Sequence, residues 1–235
     1  MYSEDMQRGT IATDDRWARY GAASGAISVA LYLVGAAVAG TPPDFNASGA
    51  EVAAYFAEER TQLQIGSAFF AASAPFLIWF LATVASLARA GGPRSARAGA
   101  VAFGCGASAL TLFLADVAAL AVGALRPENM AAAPALAAAL LDFSFLAIAM
   151  ATFLASAVFA AFAMLALRDR MLWPAWVGWL AVVAACAYSL RIGALFTTEG
   201  AFAADGVLGL IVPVSAYGGW MVIGSVVLTA RVRSQ

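Results

Sequence analysis

The sequence contains no histidine and no lysine, and only 11% of its 235 residues are charged. Without histidine, a His-bound haem, copper or zinc has no ligand, and without lysine a retinal or pyridoxal Schiff base cannot form. Rhodopsins, b-type cytochromes and most membrane metalloenzymes are therefore excluded. We expect no cofactor, and no residue is assigned a catalytic, cofactor-binding or metal-binding role.

The shortage of charge also excludes a soluble domain, which carries roughly 25% charged residues. Hydrophobic residues make up 63% of the chain, and the mean hydropathy is +0.84. The sequence therefore predicts an integral membrane protein. Its net charge of −1 gives no basic field that would attract nucleic acid.

Six apolar segments are long enough to cross a bilayer, since about 20 helical residues span a hydrocarbon core of about 30 Å. They cover about residues 20–40, 63–88, 99–125, 135–167, 174–196 and 206–230. We predict an all-α bundle of six transmembrane helices, forming one domain over residues 20–233 after a short polar tail over residues 1–19. The fourth segment is too long for an upright helix, so it should tilt or project beyond the bilayer.

The arginines orient these helices. The positive-inside rule places the arginine-rich loops and both termini in the cytoplasm. That side then holds ten arginines: Arg8, Arg16, Arg19, Arg89, Arg94, Arg97, Arg168, Arg170, Arg231 and Arg233. The outer side holds three: Arg60, Arg126 and Arg191.

The first outer loop carries a capping box, in which the Ser48 hydroxyl and the Glu51 carboxylate each accept a backbone N–H of the other residue. Apolar residues then fall on one side of the following turns, which predicts an amphipathic helix at the membrane surface. Pro75 in the second span and Pro213 in the sixth predict helix kinks. Trp173, Trp176 and Trp179 follow Arg170 and are typical of interfacial anchors; an aromatic ligand platform is the alternative.

Three ionisable residues lie inside apolar segments, where a charge costs at least about 2.5–3.5 kcal/mol. Asp116, Asp142 and Arg191 are about 14, 10 and 8 Å from the outer helix ends, at 1.5 Å per residue. Because all three belong to the outer half, we hypothesise one polar pocket between the third, fourth and fifth spans. One alternative is that the three residues form a buried ionic lock. The other is that the side chains of Asp142 and Arg191 reach the outer membrane interface.

Several segments resemble a known family. They are Glu51–Glu58 with Arg60, Trp79–Leu81, Leu141–Asp142, Pro174–Leu180, and Asp205–Leu210 with Trp220. In these the chain resembles the uncharacterised small multi-pass membrane proteins of high-GC Gram-positive (actinobacterial) bacteria that are grouped under a domain of unknown function. The resemblance implies a helical bundle in the bacterial plasma membrane. It implies no activity and no site residues.

The absence of a catalytic motif favours a non-enzymatic accessory protein, or a bundle that binds lipid or a small molecule. One alternative is a small proton-coupled transporter that uses Asp116 or Asp142. The other is an intramembrane enzyme acting on lipids or isoprenoids with an aspartate as general acid. Membrane lipids are the expected partners, and the sequence leaves open a second membrane protein or a second copy of the chain.

Overall fold

A computed structural model of the protein describes residues 2–44, 46–170 and 172–233, with only the backbone described for residues 2–15. The α-helices are α1 (Tyr2–Ala39), α2 (Gly49–Glu58), α3 (Arg60–Arg89), α4 (Pro93–Leu125), α5 (Pro127–Ala132), α6 (Pro134–Met150), α7 (Thr152–Leu167), α8 (Ala175–Leu190) and α9 (Val212–Arg233). A 3₁₀ turn, Arg191–Leu195, follows α8, and a π-helical turn, Val207–Ile211, leads into α9.

Six stretches within the described residues are long and apolar enough to cross a membrane. They are Arg16–Ala39, Arg60–Arg89, Pro93–Leu125, Pro134–Leu167, Ala175–Leu195 and Val207–Arg233. The predicted all-α bundle of six membrane helices is therefore confirmed. The cytoplasmic placement of both termini stays a prediction. We name the two ends of the bundle. The α2 end is where α2 and α5 lie, and the arginine-rich end is the opposite one, with Arg89, Arg94 and Arg168.

The first span, Arg16–Ala39, is part of a longer helix. Helix α1 already starts at Tyr2, so the residues predicted as a polar tail continue the helix of the first span. Met1 lies outside the described residues.

The fourth span contains two helical segments. Helix α6 ends at Met150 and α7 begins at Thr152, with Ala151 between them at φ −71° and ψ −11°. The Ala151 N–H donates to the Ala147 carbonyl oxygen at 3.2 Å, and the Ala155 N–H donates to that of Ala151 at 2.9 Å. The helical turn therefore continues through Ala151, and the two segments together form one stretch long enough to cross a membrane, Pro134–Leu167.

Helices α1 and α3 pack through glycine. A Cβ atom placed on Gly35 would lie 3.1 Å from the carbonyl oxygen of Gly66, and one on Gly66 would lie 3.0 Å from the carbonyl oxygen of Gly35. The two backbones therefore touch at this point, as in other membrane helix pairs that meet through small residues.

Four buried aromatic side chains pack into one cluster of the core, and we call them the aromatic floor: Phe159, Phe162, Trp173 and Trp220. The rings of Phe162 and Trp220 stack at 4.5 Å, and those of Trp173 and Trp220 meet edge-on at 5.2 Å. The Trp173 Nε1–H donates to the Gly224 carbonyl oxygen at 2.8 Å, and the Trp220 Nε1–H to that of Val177 at 3.0 Å. Both indoles thus satisfy their polar atom while buried.

The three tryptophans predicted as interfacial anchors separate in the structure. Trp173 is fully buried, since it belongs to the aromatic floor. Trp176 and Trp179 are 53% and 63% exposed, on the outside of α8. Only these two face outward as anchors would.

The two prolines also differ in their setting. Pro75 lies inside α3. Pro213 is the second residue of α9 and follows directly on the π-helical turn. The irregular backbone of the sixth span therefore precedes Pro213, which has no N–H to donate to that turn.

The predicted capping box is present at α2. The Ser48 N–H donates to Glu51 Oε2 at 2.7 Å, and the Glu51 N–H donates to Ser48 Oγ at 3.3 Å. The apolar face of α2 carries Val52, Ala53 and Phe56, all buried. This face packs against the protein itself, because Phe56 fits into the space that Gly123 of α4 leaves. Helix α2 is thus part of the bundle rather than a helix that rests on lipid.

We expect Ser48→Ala to lower the free energy of unfolding by about 1 kcal/mol, a usual cost for a lost cap. The backbone N–H of Ser48, and to a lesser extent its side chain, hold the pKa of the Glu51 carboxyl below its usual range. A carboxylate whose pKa is lowered by folding stabilises the folded state at pH values above its pKa in the unfolded chain. This stabilisation is lost as the pH falls through its pKa in the folded protein. Denaturation at pH 7 and pH 3 measures both effects.

The contribution of the carboxylate is measured by Glu51→Gln, and the difference in free energy of unfolding between the wild type and Glu51→Gln should shrink at pH 3, where Glu51 of the wild type is protonated. Ser215→Ala, at an exposed position of α9, serves as the control. An equal difference at the two pH values would contradict the role assigned to the Glu51 carboxylate.

Candidate functional site

A central cavity of about 290 Å³ lies between the helices, and all six spans line it. Each span contributes at least one of Tyr32, Phe70, Phe113, Phe159, Tyr188 and Tyr217. Along α3 the lining runs from Leu63 to Leu81, which is about 27 Å at 1.5 Å per residue. The cavity is therefore long and narrow, with mostly apolar and aromatic walls.

The cavity reaches one end of the bundle. Gly40, Pro42 and Tyr55 line it at the α2 end, where Gly40 is exposed. Burial raises the pKa of Tyr55 to about 12, and the negative charge of Glu59 adds to this effect. The phenol is therefore neutral at ordinary pH. At the opposite end of the cavity, Phe159 belongs to both the lining and the aromatic floor.

Asp116 lines the cavity from α4. It shares its helix face with Gly106, Ala109, Leu110, Phe113 and Leu120, which all line the cavity at the spacing of one side of a helix. The carboxylate is 9% exposed, and its Oδ1 accepts a hydrogen bond from the Ser144 hydroxyl of α6. This bond joins the third and fourth spans and satisfies one of the two carboxylate oxygens.

Arg191 lines the same cavity from the start of the 3₁₀ turn after α8. Its side chain is 4% exposed, and its Nε has no hydrogen-bond partner among the described residues. Arg191 and Asp116 carry opposite charges and line one cavity. Within the described part of the chain, however, they form no salt bridge, for which a nitrogen–oxygen distance of 4.0 Å or less is needed.

Three tyrosines add neutral hydroxyl groups to the lining. Tyr32 of α1 has its ring 5.3 Å from that of Phe70 and 5.8 Å from that of Phe113. The rings of Tyr188 and Tyr217 lie 5.7 and 6.3 Å from that of Phe159. These rings and their phenol groups thus line the same cavity as Asp116 and Arg191.

Asp142 does not join this site. It is exposed, and it lines a separate cleft of about 610 Å³ at the α2 end, together with Thr197, Thr198 and Glu199. Ser144 follows Asp142 by two residues, or 200° around α6, so Asp142 points away when Ser144 points inward. The structure therefore brings two of the three predicted charged residues together and separates the third. Phe145 borders both spaces.

In comparisons with known proteins, no family model, no curated protein and no solved structure matches the chain. The resemblance to a family of multi-pass membrane proteins stays a prediction. Among the described residues, no group of three or more histidine, cysteine, aspartate or glutamate side chains is placed to hold a metal ion.

Ser144 and the three tyrosines were not among the predicted site residues. The available signal was polarity inside apolar runs at helical spacing, as in Leu141, Ser144 and Ile148 on one face of α6. Serine and tyrosine are common in membrane helices and carry no charge, so they stand out less than an aspartate. Only the fold shows that they share one cavity.

Proposed function

We propose that this membrane protein binds a small molecule in the central cavity. The observation that supports this proposal is a cavity lined by all six spans in which an apolar wall surrounds a few convergent polar groups. Ligand sites have this composition, and their volumes begin at about 300 Å³. The sequence predicts an accessory protein or a bundle that binds lipid or a small molecule. The proposal is the last of these.

The size of the cavity favours a compact ligand over a whole lipid. A cavity of 150 Å³ in another protein holds benzene, so about 290 Å³ suits a molecule of one or two rings, or one short acyl chain. The lining supplies aromatic contacts along the walls and polar contacts at Asp116, Arg191 and the tyrosines.

A proton-coupled transporter is the second candidate function, and Asp116 is the observation that favours it. A carboxylate within a membrane helix that faces a cavity is the type of group that carries protons in transporters. Transport would require a path past the aromatic floor, whereas binding requires no such movement. Binding is therefore the simpler proposal.

We expect native mass spectrometry of the wild type to show a bound small molecule, and Ala155→Phe to remove it. Ala155 of α7 lines the cavity, so a benzyl group there fills part of the space. Ala160→Phe is the matched control, because Ala160 lies on the same helix with its side chain exposed.

Indole provides a second measurement, since it has one apolar ring system and one N–H group. It should raise the melting temperature of the wild type and of Ala160→Phe, but not that of Ala155→Phe. The proposal is wrong if no bound molecule is found and indole has no effect, or if Ala155→Phe behaves like the wild type in both measurements.

A further inference from the structure

We infer that the ligand of the central cavity is a small zwitterion, with an ammonium group, a carboxylate group and an apolar body. This inference rests on the proposed function and specifies the chemical class of its ligand. It starts from two charged side chains that share a cavity without touching each other.

Arg191 indicates the carboxylate. The residue is 4% exposed, and its buried Nε–H has no acceptor among the described residues. A buried donor without an acceptor is costly, and charged donors cost more than neutral ones. A carboxylate is the acceptor that a guanidinium pairs with best, because two of its N–H groups can donate to the two oxygens.

Asp116 indicates the ammonium group. Ser144 donates to Oδ1, and no described residue donates to Oδ2. A carboxylate oxygen beside an apolar wall is stabilised by a charged donor more than by a neutral one. An ammonium group supplies up to three such donors in a compact volume.

The sum of the two charges excludes a ligand with a single charge. Asp116 and Arg191 together carry no net charge, and they lie in a site of low dielectric constant where an unbalanced charge is expensive. A singly charged ligand would leave one unit of charge uncompensated. A zwitterion pairs with both side chains and keeps the site neutral.

The walls indicate the rest of the molecule. Phe70, Phe113 and Phe159 line the cavity around the charged pair, and Leu77 and Leu81 continue the lining along α3. Groups that fill this space gain by burial and by ring contacts. An aromatic or branched aliphatic body of about the size of a large amino-acid side chain fits the volume.

The test compares ligands that share one ring and differ in charge. Two are zwitterions, L-phenylalanine with a short separation of charges and 4-(aminomethyl)benzoate with a long one. The others are 2-phenylethylamine, 3-phenylpropionate and the neutral 3-phenyl-1-propanol. Affinities are measured by calorimetry at pH 7 on the full chain in detergent. The ranking of the ligands is established first on the wild type, so it does not depend on how well any variant folds.

We expect at least one zwitterion to bind the wild type about tenfold more tightly than the amine, the acid or the alcohol, since a charge-assisted hydrogen bond is worth about that factor. Arg191→Gln should remove the advantage over the amine, and Asp116→Asn the advantage over the acid. Ala160→Phe should keep the wild-type ranking.

The inference is overturned if the alcohol or a singly charged ligand binds as tightly as both zwitterions, or if Ala155→Phe keeps the ranking. If a bound molecule disappears in Ala155→Phe but none of the zwitterions binds, then the proposed function stands and the ligand class is wrong. If nothing binds in the cavity, both fail. The two failures are thus distinguishable.

Discussion

Trp220→Ala is expected to lower the free energy of unfolding by about 3–5 kcal/mol, the usual cost of removing a large aromatic side chain from a core. Trp220 is 2% exposed, stacks on Phe162 at 4.5 Å and donates its Nε1–H to the Val177 carbonyl oxygen. The substitution removes the stacking and leaves that carbonyl without its donor. Denaturation of the purified protein in detergent measures the loss.

Trp179→Ala is the matched control, because it makes the same change at a position that is 63% exposed. It should change the free energy of unfolding by less than about 1 kcal/mol, as surface substitutions usually do. Similar losses in the two variants would contradict the assignment of Trp220 to the core.

The second large effect is expected from the charged pair. Asp116→Asn and Arg191→Gln should each destabilise the protein by about 3 kcal/mol, since each leaves the opposite charge buried without compensation. The double variant should lose less than the sum of the two. The coupling free energy is the difference between that sum and the loss in the double variant. It must stay below about 4 kcal/mol, which is the interaction energy of two charges 4 Å apart at an effective dielectric constant of 20.

Asp142→Asn combined with Arg191→Gln is the control cycle. Asp142 is exposed in a separate cleft, so its effect and that of Arg191→Gln should add within about 0.5 kcal/mol. Strict additivity in the cycle of Asp116 and Arg191 would show that their charges do not compensate each other.

The sequence predicts the spans and the cap because both depend on neighbouring residues. Hydropathy over about 20 residues identifies a membrane helix, and Ser48 and Glu51 form their hydrogen bonds within one turn. The inward placement of Asp116 and Arg191 is predictable for another local reason, since a charge in an apolar helix must face protein or water.

The rest depends on contacts between distant parts of the chain. Trp173 has the same local sequence context as Trp176 and Trp179, and its burial depends on Gly224, which is 51 residues away. The placement of Asp142 depends on how α6 is rotated against its neighbours, which the sequence of α6 alone does not determine. Asp142 and Phe153 share one stripe of the fourth span, as the sequence predicts, but this stripe faces outward, since Phe153 is 60% exposed and Asp142 is exposed as well.

The one-sided shape of the cavity gives binding a direction across the membrane. Its lining reaches the α2 end at Gly40, Pro42 and Tyr55, and Phe159 of the aromatic floor lies at the opposite end. A ligand in the compartment on the α2 side therefore reaches Asp116 and Arg191 without crossing the bilayer, whereas a ligand in the other compartment must cross it first.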